Sequence, residues 1–256
     1  MKRVLQKFIS RAGWQVSRRT SDRIRGFRRI AQLFGGAAVE VAFDVGANEG
    51  DATNDLLAIF PNAAIHSFEP FELIFREMKQ RLAMCSRVKP VNLALGSVAG
   101  EGELQVNASS VTNSLLFNAP EAQMFQPQEA ATPVRRSSVQ VETLDRYCVQ
   151  NQIEAIDLLK VDTQGYDLRV LQGAQQLLGG NRIGCVYCEV LFVPLYAGQS
   201  YFHELYQFLT EHGFRLVQLY DCTFAAEGYI AWADALFINP VFFRKETRGM
   251  DCAKIS

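Results

Sequence analysis

"FDVGANEGD", residues 43–51, joins an apolar run to an acid, Asp44, and then to Gly46, Asn48 and Gly50 at alternate positions. A hydrophobic segment that ends on a glycine-rich turn reads as a buried strand feeding a ligand-binding loop. The nicotinamide fingerprint GxGxxG does not fit it. Counted from Gly46, Asn48 and Asp51 stand where the second and third glycines belong, and that second glycine is what lets the backbone approach a pyrophosphate.

Outward from this loop, strand-like and helix-like segments alternate. "AVEVAFDV" (38–45), "AAIHSFEP" (63–70), "VKPVNLALGS" (88–97), "IDLLKVDTQG" (156–165), "CVYCEVLF" (185–192), "FRLVQLYD" (214–221) and "DALFINP" (234–240) read as strands. "DATNDLLAIFP", "FELIFREMKQRLA", "YDLRVLQGAQQLL" and "SYFHELYQFLTEHG" carry helical spacing between them. Thr163 is placed to cap the helix that follows it, with Leu168, Leu171, Ala174 and Leu178 as its buried line. About seven strands alternating with helices predict an α/β fold: a mostly parallel sheet covered on both faces. No helix is evident between the last two strands, which predicts a terminal hairpin with one antiparallel strand. "GELQVNA" reads as a short additional strand, and "SVQVETLDRYCVQNQ" as a short strand leading into a helix. Residues 107–138 break the rhythm with Ser, Asn, Gln and Pro, the composition of a lid, a binding loop or disorder.

The bulk properties fit this picture. The 256 residues are 48% hydrophobic and 21% charged, enough for one large domain plus an extension. No run of about 18 apolar residues is present, and the N-terminus lacks the apolar block of a secretory signal, so a cytoplasmic protein is expected. The six cysteines are scattered. Cys185 and Cys188, three apart on a strand, would point to opposite faces, poor geometry for one metal, and read as buried thiols. The net charge of −1 hides an asymmetry: residues 1–30 hold ten Lys or Arg against Asp22 alone, and the remainder is correspondingly acidic. An acidic body is not built to grip a phosphate backbone, so no nucleic-acid partner is expected. The expected division is a basic helical extension over 1–36 and a catalytic domain over 37–256. The favoured reading of the extension is a helix docked on its own body, with Ile24, Phe27, Ala31 and Phe34 at helical spacing. The alternative is an arm for an anionic membrane surface or an acidic partner.

Ligands of open α/β sheets bind beyond the carboxyl ends of the strands, where Asp44, Glu69, Asn92, Asp162 and Glu189 all fall. An acid ahead of the glycines suits a cationic ligand, and S-adenosylmethionine carries an ammonium and a sulfonium without any phosphate. Glu69, ending the second strand, is placed to accept the ribose hydroxyls.

Five segments in order, "FDVGANEGD", "FEP" (68–70), "NLALG" (92–96), "TLD" (143–145) and "LLKVDTQGYDLRVLQGA" (158–174), resemble the FkbM-type S-adenosylmethionine-dependent methyltransferases over roughly residues 38–240. The resemblance implies a class I, Rossmann-like methyltransferase fold and O-methylation of hydroxyls on sugars, glycans or natural products. It further implies that Asp44, Gly46, Asn48 and Gly50 form the cofactor loop, that Glu69 holds the ribose, that Asn92 lies near the adenine and Asp162 near the methyl group. One position departs from the family's D-x-E-G: this chain has "DTQG", with Gln164 for the Glu, keeping hydrogen-bonding shape without the charge.

A sugar hydroxyl is poorly acidic, so its proton needs a base or a metal as the methyl arrives. Asp162 is the first candidate, Glu189 the second and His203 the third. His66 reads as packed and His212 as a helix-end residue. A divalent metal is conceivable, but no tight acid cluster marks a site for one. The competing readings are a non-catalytic methyltransferase-like binding module, for which Gln164 is the supporting feature, and a nucleic-acid methyltransferase. Acceptor specificity is expected from the 107–138 insert and from residues 190–202, where Tyr196, Tyr201 and Phe202 look exposed.

Overall fold

The computed structural model describes residues 19–35, 38–127 and 132–246. Helix α1 (Arg19–Leu33) precedes β1 (Val41–Val45), α2 (Asp51–Ile59), β2 (Ala64–Phe68), α3 (Glu72–Arg81) and β3 (Val88–Val91). Strands β4 (Ala94–Leu95), β5 (Gly100–Asn107) and β6 (Pro133–Glu142) follow, then α4 (Leu144–Gln150), β7 (Ile156–Val161), α5 (Asp167–Gln172) and α6 (Gln175–Gly179). The chain continues through β8 (Ile183–Leu191), α7 (Phe202–Glu211), β9 (Arg215–Phe224), β10 (Ile230–Ile238) and α8 (Pro240–Glu246). Seven strands form one sheet in the order β3-β2-β1-β7-β8-β10-β9. Strand β10 is antiparallel to both neighbours, as the missing connection helix predicts.

Every residue of β7 and β8 is buried, which is why those segments are continuous apolar runs rather than alternating ones. Their side chains still alternate between two cores. Leu158, Cys185 and Tyr187 join Phe27, Ile30, Leu56 and Met78 under α1, α2 and α3. Leu159, Val161, Val186 and Cys188 join residues of α4, α5, α6 and α7 on the other face. The two cysteines therefore do lie on opposite sides of one strand. Helix α1 is docked through Phe27, Ile30 and Phe34, all buried, and the Phe27 ring meets Tyr187 edge-on at 5.3 Å. Gly26 makes that approach possible, because a Cβ there would lie 2.5 Å from the Tyr187 ring. Residues 1–18, half of the basic extension, lie outside the described residues, and so does Cys252.

Four local expectations are corrected. The segment 88–97 is two strands, not one: the chain turns at Asn92, and β4 leaves the main sheet for a second, three-stranded sheet in the order β4-β6-β5. Strand β6 is ten residues long and mostly exposed, with Val139 its one buried position, so hydrophobic patterning could not reveal its length. The segment 166–178 is two helices. Gly173 breaks it where the backbone crosses Gly96, since a Cβ there would come within 2.1 Å of the Gly96 carbonyl oxygen. Thr163 caps neither helix; its own N–H donates to Asp167 Oδ1 at 3.4 Å, and Tyr166 occupies the N-cap position.

The described part of the 107–138 insert has its own packing. Leu116 and Phe125 are buried against Val193, Leu195 and Tyr196. Tyr196, expected on the surface, is only 2% exposed, while Phe202 stacks on Phe192 at 5.0 Å.

Candidate active site

The ends of β1, β2 and β7 open into a cavity of ≈ 360 Å³, within the range of small-molecule sites. The loop after β1 curls under it: the N–H groups of Gly46 and Ala47 donate to the Phe68 carbonyl at 3.1 and 2.9 Å. Gly46 has φ 77°, and a Cβ there would meet the Asp162 carbonyl oxygen at 1.9 Å. Only glycine fits both demands. Asn48 also takes a left-handed conformation, at φ 49°, which asparagine tolerates better than most residues.

Glu69 lines the cavity, and each of its carboxylate oxygens accepts a backbone hydrogen bond. Asn48 N–H reaches Oε2 at 3.0 Å and Phe71 N–H reaches Oε1 at 2.8 Å. Burial pushes this carboxyl up to about 7, against the pull of those two N–H donors. Asn92 is not on the wall. Its amide donates to the carbonyls of Glu69 and Pro70 at 2.9 and 3.0 Å, fixing the turn that aims Glu69. The following residues, Leu93, Ala94 and Leu95, supply an apolar wall together with Leu104 and Leu115.

Asp44 is placed differently from the expectation of a loop acid facing a cationic ligand. It is fully buried behind the loop, accepting a hydrogen bond from the Thr53 hydroxyl at 2.7 Å and paired with Lys160 Nζ at 3.0 Å. Its charge is already matched inside the protein. Lys160, which drew no notice in the sequence because it interrupts an apolar strand only once, also donates to the Gly46 carbonyl at 3.2 Å and lies 3.8 Å from Asp162 Oδ2. Burial pulls its ammonium down, but Asp44 and Asp162 outweigh that and hold it above the ordinary lysine value.

Asp162 reaches the cavity wall, as expected. The "DTQG" turn that follows it is strained into the left-handed region at Gln164 and Gly165, at φ 56° and 86°. That turn makes Gln164 a hub. Its amide nitrogen donates to Asp162 Oδ1 at 2.8 Å and to Glu189 Oε2 at 3.0 Å, while its amide oxygen accepts from the Tyr196 hydroxyl at 2.6 Å. Glu189 is buried behind this amide and is not on the cavity wall. Two side-chain hydrogen bonds tie the insert to the cavity: Ser110 Oγ lies 3.3 Å from the Asn48 side-chain amide nitrogen, and the Ser114 hydroxyl donates to the Gln164 carbonyl at 2.8 Å. His203 is exposed on α7, stacked near Tyr201, and does not line the cavity. His66 stacks on Phe43 and shares a 2.7 Å hydrogen bond with the Tyr147 hydroxyl, and burial followed by Lys89 pushes it down to about 4. His212 Nδ1 lies 2.8 Å from the Phe208 carbonyl at the end of α7.

With this geometry in place, the chain matches the methyltransferase FkbM domain over residues 44–216, from the glycine loop to the start of β9. The chain belongs to that family. Its seven-stranded sheet is the class I methyltransferase fold, and S-adenosylmethionine is the methyl donor. A curated relative is the 2-O-methyltransferase NoeI of Sinorhizobium fredii (strain NBRC 101917 / NGR234), 24% identical over 166 residues. That match covers 62% of this chain and 66% of the relative, just under two thirds of its length. Among solved structures, an rRNA methylase from Streptococcus thermophilus is similar at a TM-score of 0.46 and 11% identity, over 84% of this chain and 94% of that one. A precorrin-6y C5,15-methyltransferase from Geobacter metallireducens GS-15 is similar at a TM-score of 0.43 and 11% identity, over 83% and 86%. The cavity has the features such a cofactor needs: a turn at Gly46 with no room for a side chain, a buried acid able to accept from a diol, and an apolar wall able to take a purine ring. Among the described residues no group of three or more His, Cys, Asp or Glu is arranged to hold a metal ion. No described helix is long and apolar enough to cross a membrane.

Proposed function

We propose that this enzyme methylates a hydroxyl oxygen of a sugar, a glycan or a related natural product. The observation that carries the reading is the asymmetric setting of Asp162. Gln164 holds its Oδ1 at 2.8 Å, and Oδ2, 3.8 Å from the nearest ammonium, is left to accept a hydrogen bond. The relative's activity, a 2-O-methyltransferase by name, supports the same acceptor atom.

S-adenosylmethionine, when bound, supplies an activated methyl group on its sulfonium. In this reading Glu69 accepts the two ribose hydroxyls, the loop of Gly46, Ala47 and Asn48 lies along the sugar and methionine side, and the Leu93–Leu95 wall covers the adenine. Gly50, expected in the cofactor loop, is off the cavity wall and turns the chain against Met78 and Leu82 of the α3 region instead. Asp162 Oδ2 accepts the hydrogen of the acceptor hydroxyl, orients its oxygen towards the methyl group and takes the proton as the new bond forms. Positioning of this kind is worth about 7–11 kcal/mol where it is well realised. Glu189 acts only through Gln164 and is a positioning residue; His203 is given no part in the transfer.

The test is transfer of a labelled methyl group to a panel of hydroxylated acceptors: monosaccharides, oligosaccharides and polyketide-type alcohols. Incorporation at oxygen is expected, and Asp162→Asn should lower kcat by about 100-fold or more while leaving cofactor binding within a few-fold. Incorporation into nucleic acid instead would overturn the proposal. Cofactor binding with no transfer to any acceptor would favour the binding-module reading.

A further inference from the structure

The amino-acid end of the cofactor carries a carboxylate as well as an ammonium, and neither the family-matched segment nor the glycine loop provides an obvious cation for it. Among the described residues only two cations line the cavity, Arg23 and Lys160. Lys160 is buried and committed to Asp44 and the Gly46 carbonyl. Arg81 lies outside the wall, where it engages Asp51 at 2.5 Å and the Glu49 carbonyl at 3.1 Å. The start of α2 opens on the same wall, but Asp51 already occupies its first turn.

Arg23 is set up differently. It comes from α1, which lies before the family-matched residues 44–216, and the buried Phe27 and Ile30 below it fix the helix against the sheet. Its Nε and Nη2 both donate to a single oxygen, Oδ2 of Asp55, at 2.9 and 2.5 Å. One edge of the guanidinium is thereby pinned, while Nη1 has no hydrogen bond to a described residue. A half-anchored guanidinium on a cavity wall is preorganised for a second, planar anion. The anion that the cofactor brings is a carboxylate, and a carboxylate leaving water needs a charged partner.

We propose that Arg23 is a cofactor-binding residue, which receives the carboxylate of the methionine arm and makes α1 a working part of the active site. This rests on the S-adenosyl cofactor occupying the cavity described above. Three consequences follow in the geometry. The methionine arm runs along the glycine loop towards α1. The ribose stays at Glu69. The sulfur end is left between the two, beside Asp162.

The experiment is calorimetric titration of the full chain with two ligands that differ only in that group: S-adenosylhomocysteine and its decarboxylated counterpart, 5′-(3-aminopropylthio)-5′-deoxyadenosine. The protein variants are Arg23→Gln, which can keep a hydrogen bond to Asp55, and Arg23→Lys, which keeps the charge. The wild type should favour the carboxylated ligand by about 10- to 100-fold, the size of one charge-assisted hydrogen bond. Arg23→Gln should erase that preference while binding the decarboxylated ligand within about twofold of wild type, and Arg23→Lys should retain part of it. The decarboxylated ligand doubles as the check that each variant keeps its cavity. An equal loss for both ligands would overturn the inference, reducing Arg23 to a prop for the pocket. An unchanged preference in Arg23→Gln would overturn it too, because the carboxylate would then be held elsewhere. A wild type that binds neither ligand would remove the cofactor placement itself, a result distinct from either.

Discussion

Glu69 shows how one residue can carry opposite pH signs in the free and bound protein. Its folded-state value of about 7 is above the 4.5 of an ordinary glutamate, chiefly because it is buried. The free fold therefore binds an extra proton between those values. The resulting stability is present below about pH 4.5 and is lost as the pH rises through about 7. Ribose hydroxyls, as donors, favour the ionised carboxylate instead, so cofactor affinity should rise over the same upper range. We expect S-adenosylhomocysteine to bind about tenfold more weakly at pH 6 than at pH 8, with that dependence absent in Glu69→Gln. A pH-independent wild-type affinity would show that the ribose is held by other groups. At this scale the sequence was only partly legible. Glu69 and the loop glycines could be placed because each sits at a strand end in a recognisable pattern. Asp44 could not be resolved: its partner, Lys160, is 116 positions away and marked by nothing but charge. Gln164 was visible as a departure, but its role needs Glu189 near the end of β8 and Tyr196 in the loop after it, which only the fold brings to it.

Among the elements, α1 offers the sharpest test of how extension and body fit together. Gly26 lies inside a helix, where alanine would ordinarily be preferred by about 1 kcal/mol. Here the added methyl would fall 2.5 Å from a ring atom of Tyr187, and Tyr187 cannot easily move because it is buried and donates to Asp234 at 3.0 Å. Overpacking of that kind costs about 1–3 kcal/mol. Gly26→Ala should thus lower the melting temperature despite its better helix propensity, and thermal unfolding checks it; a rise would mean that α1 is only loosely held. The segment "TLD" teaches a related lesson. Its position in the family pattern hints at function, yet Thr143 caps α4 by accepting from Arg146 N–H at 3.2 Å. Asp145 accepts from the N–H groups of Gln176 and Leu177 at 2.8 and 3.0 Å, closing the start of α6. Both residues serve architecture. Helices and main-sheet strands could be found by periodicity because they bury one face or two; the second sheet escaped because β6 is polar nearly throughout.

Across the whole molecule, strand alternation and the unbridged final pair were enough to anticipate a seven-stranded sheet with one reversed strand. Which helices cover which face was not legible, since that depends on crossovers between distant segments. The structure settles it, and in doing so gives β8 an unplanned use. Cys185 faces the layer that includes α1, and Cys188, three residues on, faces the opposite layer. Both thiols are fully buried, and burial raises both well beyond the ordinary cysteine range, so an alkylating reagent can reach either one only when its layer opens. Single-cysteine variants at the two positions would act as independent clocks on the two sides of the sheet. If S-adenosylhomocysteine braces α1 through Arg23, it should slow alkylation at Cys185 by a larger factor than at Cys188, and equal slowing would mean that the layers open as one unit. A pair of neighbouring thiols thus makes the protein its own two-channel recorder of local breathing, without any label having to be designed.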